Sequence, residues 1–108
     1  MVKVIYDRNQ PSVTMEGHAG SGTAGHDLVC ASLSILAYTL ASSLELLDDE
    51  EQRCNVHVEL KEGEGLISCD PDENCCRTVT IIFETICTGF DLLAQNYPNH
   101  VFFEITGG

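Results

Sequence analysis

The chain has 108 residues, 44% of them apolar, which suits one domain with one hydrophobic core. The net charge is −12 with only five Lys and Arg. This argues against direct nucleic-acid binding, because phosphate contacts draw on clustered basic side chains, but it fits a basic partner as well as simple solubility. No apolar run reaches the roughly 18 residues of a membrane span. Residues 1–7 are typical of a strand rather than a secretion signal, so we expect a cytoplasmic protein without a membrane partner.

The first half of the chain predicts a β-hairpin followed by a helix. Alternating apolar residues predict strands over 2–6 and 13–18, joined by a turn. A glycine-rich loop covers 19–26, and Asp27 begins a helix that runs to about Leu47. The apolar positions that repeat at helical spacing are Leu28, Ile35, Leu36, Leu40, Leu44 and Leu47.

The second half predicts two strands, a helix and a final strand, after an acidic run that we interpret as a solvated linker. The two strands cover 54–60 and 66–69. An Asp-Pro step at Asp70 predicts a helix N-cap followed by proline at the first helical position. Helical spacing of apolar residues then continues until Pro98 stops the helix, and 101–105 form the last strand.

These elements predict an α+β fold. Their order is ββαββαβ, without an internal repeat or a linker that would separate two domains, so residues 1–108 form a single domain. We expect an open mixed or antiparallel sheet with both helices packed on one face, because that arrangement buries the apolar side of each element.

Six cysteines without a signal peptide are more typical of reduced thiols than of a disulfide framework. The chain has no Cys-x-x-Cys, and adjacent Cys75 and Cys76 are poorly spaced to chelate one metal. Cys54, Cys69 and Cys87 lie among apolar residues and are interpreted as small core residues. We expect no cofactor.

The residues that indicate chemistry lie on both sides of the glycine-rich loop. His18 ends a predicted strand, and Cys30 falls at the third position of a helix capped by Asp27. The positive end of the helix dipole and a nearby imidazole both favour a thiolate. A thiolate paired with a histidine is the nucleophile of cysteine hydrolases, and the unsatisfied N–H groups of a first helical turn can form an oxyanion hole.

Other residues of the segment fit more than one role. Asp27 either caps the helix or orients the His18 imidazole as the third member of a triad does. Ser34, one turn beyond Cys30, either supports the site or packs the helix. The loop glycines let the backbone approach a bound peptide closely and let the loop move; they are Gly20, Gly22 and Gly25.

Three alternatives remain open on these residues. Gly20 to Gly25 matches the Gly-x-Gly-x-x-Gly fingerprint of dinucleotide-binding proteins. In that fingerprint an acidic residue about 20 positions later ends the next strand, whereas Glu45, at that spacing, still lies in the predicted helix. His18, His26 and Cys30 are zinc-type ligands without an evident fourth. Finally, Cys30 could be a plain core residue of a non-enzymatic dimeric interaction module.

A longer motif favours catalysis. Gly17-His18-Ala19, then Gly25, then the stretch from Asp27 to Ser34 resembles the signature of the bacterial ribosomal-processing cysteine protease family Prp. The stretch from Gly89 to Pro98 resembles the last helix of that family. The resemblance implies that Cys30 is the nucleophile and His18 its proton-transfer partner. It also implies a homodimeric enzyme that removes a short N-terminal extension, after a Phe, from a large-subunit ribosomal protein.

Overall fold

The computed structural model describes residues 1–18, 26–49 and 54–108, apart from the side chains of 26, 27 and 49. Its elements follow the predicted order ββαββαβ. They are β1 (Val2–Asp7), β2 (Ser12–Gly17), α1 (His26–Asp49), β3 (His57–Lys61), β4 (Glu64–Ser68), α2 (Cys76–Asn96) and β5 (Val101–Thr106).

The five strands form one open sheet in the order β3-β4-β2-β1-β5. Neighbouring strands are antiparallel except β1 and β5, which are parallel, so the sheet is mixed. Alternate residues of β1 (Val2, Val4 and Tyr6) are buried under the helices, as the period of two in a strand requires. Tyr6 stacks on Phe83 of α2 with ring centroids 5.6 Å apart. The predicted fold class, a mixed sheet with two helices on one face, is confirmed.

The buried face of α1 differs from the predicted one. Leu28 and Ile35, two of the apolar residues that repeat at helical spacing, are 58% and 62% exposed. Two other residues of the predicted set, Leu40 and Leu44, are buried as expected. The buried side chains lie three or four residues apart on one face of the helix: Val29, Leu33, Ala37, Leu40, Ala41 and Leu44. Apolar residues occur on several sides of this helix, so their spacing alone selects no single face, and the face with two small alanines lies against the rest of the protein.

The stretch of α1 from Leu28 to Asp48 is long and apolar enough to cross a membrane, judged by length and composition alone. Small polar residues interrupt the apolar runs of this helix without making it polar, which is why the sequence shows no uninterrupted apolar run of membrane-spanning length there. One face of the helix, from Val29 to Leu44, is buried against the rest of the domain. Core helices of soluble proteins meet the same length and composition test.

The two largest differences between predicted and observed element boundaries, at the starts of β3 and α2, have local reasons. β3 begins three residues late, because Asn55 has a φ of +49° and cannot continue a strand. The predicted N-cap at Asp70 is wrong, since α2 begins at Cys76. The Asp72 carboxylate instead accepts hydrogen bonds from the N–H groups of Asn74 and Cys75, at 3.0 and 3.1 Å, and forms a turn before the helix.

Candidate active site

A cavity of about 450 Å³ opens where β2 ends beside the first half of α1 and the β3–β4 turn. His18, Cys30 and Ser34 line it together, although they come from the end of β2 and from α1. Its apolar lining consists of Val2, Met15, Leu33, Ala37, Tyr38 and Leu60. Its charged lining consists of Glu16, Lys61, Glu62 and Glu64.

His18 is held by the backbone around it. Gly17 ends β2 with a φ of +105°, a backbone conformation that residues with a side chain rarely adopt. Its N–H donates a hydrogen bond to the Gly63 carbonyl at 2.9 Å. The Met1 amine donates to the His18 carbonyl at 2.5 Å. The His18 side chain lies directly against Gly63 in the β3–β4 turn. The strand end and the neighbouring turn therefore set the position of this imidazole together.

Cys30 lies deeper in α1 than the sequence predicts. The helix begins at His26, so Asp27 is its second residue rather than its N-cap, and Cys30 is the fifth residue rather than the third. Because the effect of the helix dipole falls off within the first turn, the dipole acts on Cys30 more weakly than the sequence predicts. The Cys30 side chain is half-buried on the cavity wall.

The remaining predicted residues divide into two groups. Ser34 is exposed and lines the cavity one turn beyond Cys30, so its supporting role stays a prediction. The side chain of Asp27 and the loop residues Gly20, Gly22 and Gly25 lie outside the described part of the structure. Their predicted roles, and the dinucleotide-like pattern at the same glycines, therefore stay predictions as well.

Two parts of the cavity were missed by the sequence reasoning. Tyr38 follows Cys30 by eight residues and Ser34 by four, so helical spacing from Cys30 would have placed it on the same wall. The turn at Glu62 and Gly63 carried no such signal. It reaches His18 only because β4 pairs with β2, with Glu16 opposite Glu64 at the end of the ladder.

The other buried cysteines have a different environment. Cys54, Cys69 and Cys87 are at most 3% exposed, which confirms their assignment to the core. Burial raises the pKa of each of these thiols to about 12, so they stay protonated at neutral pH and are poor nucleophiles. Among the described side chains of 1–18, 28–48 and 54–108, no three His, Cys, Asp or Glu are grouped to hold a metal ion. The side chain of His26, on which the metal-site alternative depends, lies outside this part of the structure.

Comparison with known proteins assigns the chain to a family. Residues 1–102 match the family described as Cysteine protease Prp. No curated protein matches the chain. The crystal structure of SMU.848 from Streptococcus mutans is similar, with 32% identity, 97% of this chain and 91% of that chain covered, and a TM-score of 0.72.

Two crystal structures of the essential ribosomal processing protease Prp from S. aureus share the fold. One holds a covalently linked product peptide and is 20% identical; the other holds a substrate peptide and is 19% identical. Each alignment covers 98% of this chain and 100% of the other, with a TM-score of 0.78.

The family match defines this α+β domain as a cysteine protease, an enzyme rather than a non-enzymatic interaction module. More specifically, the chain belongs to the Prp family of cysteine proteases.

Proposed function

We propose that this protein is an endopeptidase that removes a short N-terminal extension from a large-subunit ribosomal protein, with Cys30 as nucleophile and His18 as general base. The observation that carries the assignment of residues is that Cys30 and His18, from different elements, line one cavity. Membership in a family of cysteine proteases supports the reaction. The S. aureus family member named as a ribosomal processing protease supports the substrate class.

In this mechanism, His18 accepts the proton of the Cys30 thiol, and the thiolate attacks the scissile carbonyl carbon. Backbone N–H groups at the start of α1, which have no partner within the helix, stabilise the tetrahedral oxyanion. His18 then donates its proton to the leaving amine, and a thioester to Cys30 remains. A water molecule, deprotonated by His18, hydrolyses the thioester and restores the thiol.

The cavity lining is compatible with the proposed substrate. The apolar wall that includes Leu33, Tyr38 and Leu60 suits a large apolar side chain, such as the Phe after which the extension is cut. Glu16, Glu62 and Glu64 supply negative charge at the cavity, and the whole chain carries a net charge of −12. This charge attracts a basic ribosomal protein to the site.

We also propose that the enzyme is a homodimer and acts in the cytoplasm, where ribosomal proteins are made. A groove on the outer side of the helix layer supports self-association. It lies between α1 and α2, and its lining includes Ile35 and Leu92, which are 62% and 52% exposed. Apolar side chains exposed in this way are typical of surfaces that bind another protein.

The test is cleavage of the host ribosomal protein that carries the extension, followed by mass spectrometry. Cys30→Ala should abolish cleavage, because the variant removes the attacking sulfur. It should keep the fold, because this sulfur is the only heavy atom removed and the side chain is only half-buried. Cys76→Ala is the matched control, since Cys76 is an exposed thiol outside the cavity lining, and it should cut at the wild-type rate. Wild-type cleavage by Cys30→Ala would overturn the proposal.

A further inference from the structure

We infer that Gly63 is a positioning residue for catalysis: its bare Cα is the surface against which the His18 imidazole is held in the cavity. This inference rests on the proposed role of His18 as general base. It adds a residue of the β3–β4 turn, which carries no reactive group, to the set on which turnover depends.

The contact between the two residues leaves no room for a side chain. A Cβ built on Gly63 would lie 2.9 Å from both Cε1 and Nε2 of His18. Carbon atoms in contact prefer separations of about 3.5–4.0 Å, so a methyl group would displace the ring by roughly 0.6–1 Å. These two atoms form the outer edge of the imidazole, and Nε2 is one of the two nitrogens that can carry the catalytic proton.

The turn is itself held in place by the sheet. Lys61 and Glu64 form the last pair between β3 and β4, and Glu16 pairs with Glu64 across β2 and β4. One residue beyond that pair, the Gly17 N–H donates to the Gly63 carbonyl at 2.9 Å. Gly17, which precedes His18, is therefore hydrogen-bonded to Gly63, which contacts the His18 ring. This bond fixes the position of the turn relative to the imidazole.

The backbone conformation of Gly63 points to the same residue type. Its φ is +76°, in the left-handed region where a side chain is strained. Two features therefore favour glycine at position 63: the left-handed backbone of the turn and the closeness of the His18 ring. An experiment must separate these two requirements, because Gly63→Ala introduces both backbone strain and the contact with His18.

Gly107 supplies the control for backbone strain. Its φ is +80°, and a Cβ there would meet Asn9 rather than the cavity. Gly63→Ala should lower kcat for the substrate peptide by about tenfold to a hundredfold, the scale expected for a 1 Å misplacement of a catalytic group. Gly107→Ala should leave kcat unchanged. Gly63→Asn, which tolerates a positive φ better, should fold more readily than Gly63→Ala and still lose kcat.

The decisive measurement is a double-mutant cycle with His18→Ala, read out as the rate of Cys30 alkylation by iodoacetamide, which remains measurable when cleavage does not. Gly63→Ala should slow alkylation in the wild-type background and change it less than twofold once the ring is gone. The NMR signal of His18 Cε1–H should also shift in Gly63→Ala and Gly63→Asn but not in Gly107→Ala.

Two outcomes would overturn the inference: wild-type kcat in Gly63→Asn, or an equal loss of alkylation rate with and without the imidazole. The second would mean that the turn shapes the cavity without acting through His18. Failure of the proposed function is distinguishable, because it would appear as wild-type cleavage by His18→Ala or Cys30→Ala, whatever Gly63→Ala does.

Discussion

Two regions of the molecule combine a cysteine with a basic side chain, but the cysteine is half-buried beside an open cavity in one region and buried in the other. At one end of β1, Val2 lines the cavity that holds Cys30 and His18. Tyr6 lies four residues further along the same strand, or about 13 Å at the rise of a strand, and belongs to a second cluster with Arg8, Glu84 and Cys87. There the Arg8 guanidinium contacts the Glu84 carboxylate at 2.7 and 3.2 Å, and Cys87 is buried nearby.

The second cluster shows that a neighbouring cation does not by itself activate a thiol. Burial and, to a smaller extent, the Glu84 carboxylate together raise the pKa of Cys87 to about 12, because the opposing effect of Arg8 is smaller than either. Desolvation therefore dominates, as expected for a thiolate taken out of water. Cys30 differs because its side chain is only half-buried and lines an open cavity.

The largest difference should appear in thiol alkylation. In the native protein at neutral pH, iodoacetamide should modify Cys30 about a thousandfold or more faster than Cys87, because a buried thiol reacts only after the structure opens. Quantitative mass spectrometry of each cysteine peptide measures both rates. Denaturant should remove the difference, and equal native rates would show that the two thiols are equally accessible.

Loss of the His18 imidazole should have the next largest effect. His18→Ala should lower turnover by roughly a hundredfold or more, the usual scale for a general acid–base group, and should slow Cys30 alkylation. His57→Ala is the control, since this exposed imidazole on β3 pairs with Glu59 at 3.3 Å and is not part of the cavity lining. A large effect of His26→Ala would favour the metal-site alternative instead.

The smallest effect should come from the ion pair of the second cluster. The Arg8 guanidinium, by hydrogen bonding, holds the pKa of Glu84 below its ordinary value of 4.5. The pair therefore stabilises the fold above about pH 4.5, and this contribution is lost as pH falls through the lower pKa of the folded state. Glu84→Gln should lower the Tm slightly at pH 7, and the difference from wild type should vanish in acid.

The ion-pair effect is small because both side chains are about 40% exposed and water screens them. High salt should reduce it further, and kcat should not change, since the pair lies away from the cavity. A Tm difference that grows in acid would show that Glu84 does not act through its charge.

The sequence by itself determined the order of the elements and predicted one pair of residues for catalysis, His18 and Cys30, which line one cavity. Strand alternation and helical spacing are local patterns, so β1 and α1 were predicted within two residues of their bounds. His18 and Cys30 were found because they flank one short loop and belong to a recognisable motif. Apolar periodicity and the motif that contains His18 and Cys30 both involve residues that are near one another along the chain. Both can therefore be recognised from the sequence alone.

Only the tertiary structure decided which parts of the chain meet. The Gly63 turn supports His18 from 45 residues away, and Arg8 pairs with Glu84 at a separation of 76 residues. The buried face of α1 likewise depends on close packing, since a Cβ on Gly89 of α2 would lie 2.6 Å from a methyl carbon of Leu36. Strand pairing and helix packing set these contacts, and the spacing of residues along the chain carries no information about them.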